Sequence, residues 1–280
     1  MNRVPICYCG NKRIFGGIFM SALSILKNTD APIEIILLTM DVSYKNPQYI
    51  PFSEEQRELL DKTLKAKNPE SCARIIDVGE LYREHLEKGK NNNNSYTPYA
   101  SIRLFLDLLD VPEKLIYLDA DIMCLADVRE YYETDIENYE FAATLDIVGR
   151  RFFRNNYCNS GVLLLNIKKI RETGLFARAR ERVFRKWMMM PDQSAIHKEA
   201  SAKLLVPYRF NEQRNIKPDT VFKHFCMGYR WRGPFLTSYN YKQWQRLEVH
   251  EKLGIFEFDD IYGEFDKILS EGNNKELINI

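Results

Sequence analysis

The sequence predicts a single α/β domain of Rossmann type, with a mainly parallel central sheet, helices on both faces and a C-terminal appendage of helices and loops. Two observations predict it. Strand-like apolar runs alternate with segments of helical spacing through the first half of the chain, and several of these runs are almost wholly apolar, which is typical of buried strands. The 280 residues suffice for a substantial core.

Each predicted element has a local signal. The strands are the apolar runs Val4 to Cys9, Ile33 to Thr39, Ala73 to Val78, Lys114 to Leu118, Phe141 to Leu145, Gly161 to Asn166 and Leu204 to Val206. The helices are the segments Gly16 to Leu26, Ser53 to Lys65, Tyr99 to Leu109, Gly174 to Met188 and Pro191 to Ala200. Ser53 and Gln56 form a capping pattern. The chain becomes irregular near Tyr229, so we expect a domain over 1–231 and an appendage over 232–280.

Composition excludes several classes of protein. Lysine and arginine number 40 against 39 acidic residues, and a net charge of +1 provides no general field that would attract nucleic acid or an acidic membrane. The six cysteines include no Cys-x-x-Cys pair, so we interpret them as reduced thiols. The start of the chain is too weakly apolar for a signal peptide, and no segment has 18 apolar residues. We therefore expect a cytoplasmic protein.

Two carboxylates follow an almost wholly apolar predicted strand. Asp119 and Asp121 come directly after Lys114 to Leu118, and alternate residues of an extended chain point the same way. Short Asp-x-Asp patterns are common on solvated turns, but this one is flanked by apolar sequence on both sides, where uncompensated charge is costly. Manganese or magnesium bound by such carboxylates commonly completes its shell with substrate phosphates. The pattern favours a metal–diphosphate site.

Two other residues are candidates for the same site. His224 can supply a third metal ligand, although a lone histidine between Phe222 and Phe225 is more often a packed core residue. Arg103 can pair with phosphate or with Asp121, although as a surface arginine it would be ordinary.

Six segments in order resemble glycosyltransferase family 8, the family of glycogenin and of bacterial lipopolysaccharide galactosyl- and glucosyltransferases. They are ICYCGN, SIRLFL, YLDADI, NSGVLLLNI, PDQSAI and HFCMGYRW, spread from residue 4 to about residue 231. The resemblance implies a GT-A fold, UDP-glucose or UDP-galactose as the donor, Mn²⁺ with Mg²⁺ as the second choice, and retention of anomeric configuration.

The resemblance also implies roles for single residues. The implied metal ligands are Asp119, Asp121 and His224, and the residues implied to contact the nucleotide are Cys9, Gly10, Asn11 and Ile14 for uridine and Ala120 for ribose. The residues implied to contact the sugar, the phosphates or the reacting centre are Arg103, Asn159, Asp192, Gln193, Gly228 and Arg230, of which Asp192, Gln193 and Arg230 are catalytic candidates. The family usually has an acidic residue in place of Asn11 and an aromatic one in place of Ile14, and a Lys-Pro-Trp run after the late glycine.

A basic and aromatic loop precedes Asn159. Arg151 and Phe152 within it are acceptor candidates for a phosphorylated or lipid-linked glycan, and Asp146 is a weaker one. A surface loop with some apolar packing explains the same residues equally well. A glycan, glycolipid or protein acceptor stays open, as do the oligomeric state and peripheral contact with the inner face of the membrane.

Two other functions remain as alternatives. A sugar-nucleotide nucleotidyltransferase also places paired aspartates after a parallel strand, but it generally needs a glycine-rich basic loop, of which CGNKRIFGG is a poor version that retains Lys12 and Arg13. A non-catalytic nucleotide-sugar-binding protein is the second alternative.

Overall fold

The computed structural model describes residues 3–92, 97–232, 235–272 and 274–278, without the side chains of 230–232 and 236. The strands are β1 (Val4–Cys9), β2 (Ile33–Thr39), β3 (Cys72–Asp77), β4 (Lys114–Leu118), β5 (Ile122–Cys124), β6 (Phe141–Leu145), β7 (Cys158–Asn166), β8 (Lys203–Leu205), β9 (Phe222–His224), β10 (Gly228–Arg232) and β11 (Phe235–Tyr239). The bounds of β1, β2, β4 and β6 are those predicted from their apolar runs.

Seven strands form the central sheet in the order β3-β2-β1-β4-β7-β6-β8. The pairs β1–β2, β2–β3, β1–β4 and β6–β8 are parallel, whereas β7 runs antiparallel to both of its neighbours. The predicted mainly parallel sheet is confirmed. The chain moves outward from β1 to β3 and then returns to the other side of β1, which creates a switch point between β1 and β4, where open α/β sheets bind ligands.

Helices cover both faces of the sheet. The α-helices are α1 (Phe15–Asn28), α2 (Glu54–Lys67), α3 (Gly79–His85), α4 (Arg129–Tyr132), α5 (Gly149–Phe152), α6 (Ile167–Thr173), α7 (Leu175–Arg185), α8 (Pro191–Glu199), α9 (Arg246–Glu248), α10 (Asp259–Ser270) and α11 (Asn274–Leu277). The 3-10 helices are Lys12–Ile14, Pro98–Leu108 and Tyr208–Phe210, and a π-helical turn is Val249–Leu253. Alternate residues of β1 enter two separate apolar clusters, with Ile6 and Tyr8 on one face and Cys7 on the other.

Three local predictions differ from the structure. The segment predicted as helical from Tyr99 is a 3-10 helix. The helix predicted from Gly174 to Met188 ends at Arg185, before the predicted end. The irregular C-terminal region contains an antiparallel hairpin, β10–β11. The Ser53–Gln56 capping box is confirmed.

The C-terminal helices pack against the main domain. Phe265 of α10 is buried with its ring 6.1 Å from that of Phe19 on α1, and Val249 and Phe258 belong to the same apolar cluster. The division at residue 231 stays a prediction. Within the described residues, no helix combines the length and the apolarity that crossing a bilayer requires.

Candidate metal and nucleotide-sugar site

The register of the sheet brings residues from distant parts of the sequence to one edge. Cys7 pairs with Tyr117, so Cys9 and Asp119 follow at the carboxyl ends of adjacent parallel strands. Because β7 is antiparallel to β4, its amino end lies at the same edge, where the backbone N–H of Asp119 donates to the carbonyl of Gly161 at 2.8 Å. Asp146 follows β6, which is also antiparallel to β7, and therefore reaches this edge too.

Asp119 is held by a buried arginine and a tyrosine. Its Oδ1 accepts hydrogen bonds from Arg103 Nη2 at 3.0 Å and from the Tyr117 hydroxyl at 2.8 Å. The Arg103 guanidinium lies 3.9 Å from the centre of the Tyr117 ring and also donates to the carbonyl of Ser160. Burial acts to lower the pKa of Arg103, but Tyr117 and the neighbouring carboxylates Asp119 and Asp192 raise it overall, so this side chain stays cationic. Arg103 contacts Asp119 and not Asp121.

Asp121 lies between two nitrogen groups. Its Oδ1 is 3.3 Å from His224 Nε2, and its Oδ2 accepts from Lys242 Nζ at 2.5 Å. Burial alone would raise the pKa of Asp121, but Lys242 and His224 hold it well below its ordinary value. The backbone explains why His224 reaches this point, since β9 pairs with β5 and places His224 opposite Ile122.

The three predicted ligands converge. Asp119, Asp121 and His224 each offer one ligand atom, and these atoms lie within 4.8 Å of one another. Gly161 leaves the necessary space, because a Cβ at this position would lie 2.3 Å from His224 Cε1 and 3.0 Å from Asp119 Oδ2. Two carboxylates and an imidazole suit a divalent transition metal such as manganese, with room for phosphate oxygens. The residues present therefore fit the implied ion.

The predicted sugar-binding residues lie together beside this cluster. Asp192 Oδ2 is 3.3 Å from Arg103 Nε, and burial raises the pKa of Asp192 although Arg103 opposes the rise. Gln193 Oε1 accepts from the backbone N–H of Ser160 at 2.9 Å and from its hydroxyl at 3.1 Å. Gln193 therefore presents no free carbonyl lone pair in the usual hydrogen-bonding directions.

Asp146 and Asn159 are joined in a buried network. Asp146 Oδ1 accepts from the backbone N–H groups of Val148 at 3.0 Å and Gly149 at 2.5 Å. Its Oδ2 accepts from Asn159 Nδ2 at 3.0 Å and from Gln193 Nε2 at 3.2 Å. The Asp146 carboxylate thus holds the start of α5 and the side chain of Gln193 in place.

The predicted uridine residues follow β1. Cys9, Gly10 and Asn11 are buried, and Ile14 is half-buried. A Cβ at Gly10 would lie 2.2 Å from Ile14 Cδ1, so the glycine allows these two residues to approach. Asn11 Nδ2 donates to the carbonyl of Gln48 at 3.3 Å.

A late segment that sequence reasoning missed crosses the site. Lys242 also donates to the carbonyl of Phe225, and Gln243 Nε2 donates to the carbonyl of Ala120 at 2.7 Å. The preceding hairpin carries Gly228, opposite Tyr239, and Arg230, whose side chain lies outside the described part of the structure. The sequence did not indicate that residues 242–244 reach the site, because Lys242 lies 121 positions after Asp121.

The acceptor candidates Arg151 and Phe152 lie on α5, at the rim of this network. Both are exposed, Phe152 to 71%. The ring of the next residue, Phe153, packs 4.8 Å from Tyr157, whose hydroxyl bonds to Ser194 Oγ at 2.8 Å on α8. The rim is therefore tied to the helix that carries Asp192 and Gln193.

Fold and site together define a class. A mainly parallel sheet with a candidate divalent cation site at its switch point is the arrangement of GT-A glycosyltransferases. Similarity to known proteins identifies the family. Residues 5–198 match the family described as "Glycosyl transferase family 8". The chain belongs to glycosyl transferase family 8 and is a glycosyltransferase.

Relatives and solved structures agree. The chain is 24% identical to a putative glycosyltransferase of Haemophilus influenzae over 89% of this chain and 79% of the relative, and 35% identical to glycosyltransferase GlyA of Streptococcus pneumoniae over 26% of this chain and 10% of that one. A galactosyltransferase LgtC, solved with donor and acceptor sugar analogs, superimposes with a TM-score of 0.67 at 18% identity, covering 98% of this chain and 99% of that one. GlyE of Streptococcus pneumoniae gives 0.64 at 15%, covering 100% and 65%. The predicted GT-A fold is thereby confirmed.

Proposed function

We propose that this glycosyltransferase moves glucose or galactose from a UDP-sugar to a glycan or glycolipid, with retention of anomeric configuration and with Mn²⁺ at Asp119, Asp121 and His224. One observation carries the proposal, the convergence of these three side chains within 4.8 Å at the switch point of the sheet. Mg²⁺ is the second choice of ion, because an imidazole ligand favours a transition metal.

The chain's own residues account for positioning the donor. A bound divalent ion would hold the diphosphate and offset the negative charge that develops as UDP leaves. Lys242, which lies beside Asp121, supplies a second positive charge at the same place. Family resemblance gives this role to Arg230, and it places Arg103, which Asp119 and Asp192 hold, at the sugar or the phosphates.

The site favours attack of the acceptor on the same face of the donor sugar as the leaving UDP. Gln193 Oε1 already accepts two hydrogen bonds from Ser160, and Asp192 is paired with Arg103, so neither offers an unengaged nucleophile. In the step that we propose, the acceptor oxygen bonds to the anomeric carbon as the bond to the UDP oxygen breaks, and the acceptor proton passes to the leaving phosphate. Asp192 then serves to bind sugar hydroxyls.

The rim around α5 suits an anionic or amphipathic acceptor. Arg150, Arg151 and Arg154 have no carboxylate partner among the residues that the structure describes, and Phe152 stands exposed between them. Arginine next to exposed aromatic rings matches a phosphate-bearing or lipid-linked glycan. We therefore propose a cytoplasmic enzyme that meets its acceptor at the inner face of the membrane, with Asp146 holding the rim rather than binding the acceptor directly.

A panel of UDP-sugars tests the proposal. We expect Mn²⁺-dependent hydrolysis of UDP-glucose or UDP-galactose, and we expect Asp121→Asn to abolish both hydrolysis and metal-dependent UDP binding while circular dichroism shows the wild-type secondary structure. Asp127→Asn is the matched control, because Asp127 lies six residues away and pairs with Arg129.

Each contrary result has a meaning. Metal-dependent UDP binding without hydrolysis of any UDP-sugar would indicate a binding module, and triphosphate consumption with release of pyrophosphate would indicate a nucleotidyltransferase. Unchanged UDP affinity of Asp121→Asn in Mn²⁺ would refute the metal site.

A further inference from the structure

A chain of buried amide groups leads from the sugar side of the site to the metal ligand His224. Asn159 Oδ1 accepts from the backbone N–H of Gly161 at 2.9 Å and from Asn211 Nδ2 at 2.9 Å. Asn211 Oδ1 in turn lies 3.1 Å from His224 Nδ1. Asn211 is completely buried, so water does not compete for these bonds.

One backbone group determines the donor and the acceptor of every hydrogen bond in this series of amide groups. The Gly161 N–H can only donate, so the Asn159 atom that faces it must be the carbonyl oxygen. The other face of Asn159 is then its NH₂ group, consistent with the bond to the Asp146 carboxylate. Asn211 must offer its NH₂ group to Asn159, which leaves its carbonyl oxygen facing His224.

We propose that Asn211 is a positioning residue that holds His224 as the Nδ1–H tautomer and so reserves the Nε2 lone pair for the cation. Nε2 then faces Asp121 Oδ1 at 3.3 Å. Because Nδ1 is engaged by Asn211, Nε2 is the ring nitrogen left to hold a metal ion together with Asp121 Oδ1. This inference rests on the metal site of the proposed function and adds the residue that orients its imidazole.

The backbone holds Asn211 in register with the histidine. The N–H of His224 donates to the carbonyl of Glu212 at 3.0 Å, and the N–H of Glu212 donates to the carbonyl of Phe222 at 2.8 Å. The segment that begins at Asn211 therefore runs beside β9. The imidazole and the amide are fixed relative to each other before any ligand arrives.

Mn²⁺ binding, measured by the electron paramagnetic resonance signal of free Mn²⁺ in the presence of UDP, tests this role. We expect Asn211→Leu to weaken Mn²⁺ binding about 10- to 100-fold, the usual effect of removing an outer-shell partner. Asn211→Asp keeps an oxygen acceptor for Nδ1–H and, when protonated on the oxygen that faces Asn159 Oδ1, also keeps the donor, so it should retain most of the affinity, a difference that loss of packing alone would not produce. Asn211→Ala removes the same acceptor and replaces the leucine variant if that one does not fold.

Gln213→Leu is the matched control. Gln213 is a buried amide in the same segment, but it bonds to the backbone of Leu145 and Ile147 and not to a metal ligand. Its loss should leave Mn²⁺ affinity unchanged. The inference is overturned if the leucine and alanine variants bind Mn²⁺ like the wild type, or if the aspartate variant loses as much affinity as they do. Wild-type protein that binds no Mn²⁺ with UDP would instead overturn the proposed metal site, and the inference with it.

Discussion

At the scale of single residues, Lys242 has two opposing roles in the proposed reaction. Its ammonium group lies 2.5 Å from Asp121 Oδ2, where it competes with a cation before the donor binds and can stabilise the leaving diphosphate afterwards. Burial acts to lower the pKa of Lys242, but Asp121 raises it above its ordinary value, so the group stays charged.

Lys242→Gln should therefore separate binding from turnover. We expect kcat to fall about 10²- to 10³-fold, as on removal of one group that stabilises developing negative charge. We expect Mn²⁺ affinity to be equal to or tighter than that of the wild type, because a competitor for Asp121 is gone. Steady-state kinetics with UDP-sugar hydrolysis and a Mn²⁺ titration measure the two effects.

Arg230→Gln is the comparison that decides which cation meets the leaving group. Arg230 lies on β10, Lys242 follows β11, and family resemblance assigns the role to Arg230. A larger loss of kcat in Arg230→Gln than in Lys242→Gln would return the role to Arg230. Weaker Mn²⁺ binding by Lys242→Gln would show that the lysine supports the ion instead of competing with it.

At the scale of elements, α10 covers α1, and α1 carries Gly17 beside the site. A Cβ at Gly17 would lie 2.6 Å from Trp244 and 3.0 Å from the carbonyl of Ala120. Loss of the packing of α10 on α1 should therefore disturb both the apolar core and the segment that carries Lys242.

Phe265→Ala should destabilise the whole domain. Phe265 is 1% exposed and packs edge-on against Phe19, so its removal should lower the free energy of unfolding by about 3 to 5 kcal/mol. Denaturant unfolding measures the change. Phe256→Ala, at a 58% exposed position, is the control and should cost less than about 1 kcal/mol. A small effect at Phe265 would mean that α10 contributes little to the stability of the domain on which it packs.

Elements with strong local signals were predictable, and those made by distant pairing were not. The apolar runs of β1, β2 and β4 predicted their bounds because strands covered on both faces need no polar residues. The three-residue strands β5 and β9 gave no such signal, since their pairing joins segments as far apart in sequence as Ile122 and His224. The β10–β11 hairpin was missed because its strands lack a long apolar run, although Gly-Pro at 233–234 is a turn signal in the sequence.

The same distinction applies to the site. Asp119 and Asp121 were predictable because two carboxylates after an apolar strand need a partner. The resemblance to the family then favoured His224 as a ligand and supplied Gln193. The structure brings His224 to the two aspartates and Gln193 to Ser160 and Asp146. Asn211 contacts His224, 13 positions later, and Lys242 contacts Asp121, 121 positions earlier. Neither residue has a sequence neighbour that indicates a role in the site.

At the scale of the whole molecule, stability should depend on pH through a buried histidine on α8. His197 is mostly buried on α8, where its Nδ1 lies 2.8 Å from Lys203 Nζ. Burial and the positive charges of Lys203, Arg154 and Lys198 lower the pKa of His197 from 6.5 to about 4. The folded protein therefore binds fewer protons at this position than the unfolded chain does between these two values.

The sign of the effect follows from that difference. The stabilisation is complete above pH 6.5 and is lost as the pH falls toward 4, by an amount on the order of 1 to 2 kcal/mol after allowance for solvent screening. Denaturant unfolding at pH 7 and pH 4.5 should show this loss in the wild type and a smaller one in His197→Asn, which keeps an acceptor for Lys203 but does not titrate. His85→Asn, at a half-buried histidine beside Glu84, should follow the wild type. Parallel pH profiles for wild type and His197→Asn would mean that His197 binds its proton equally well in both states, and that Lys203 does not hold it neutral.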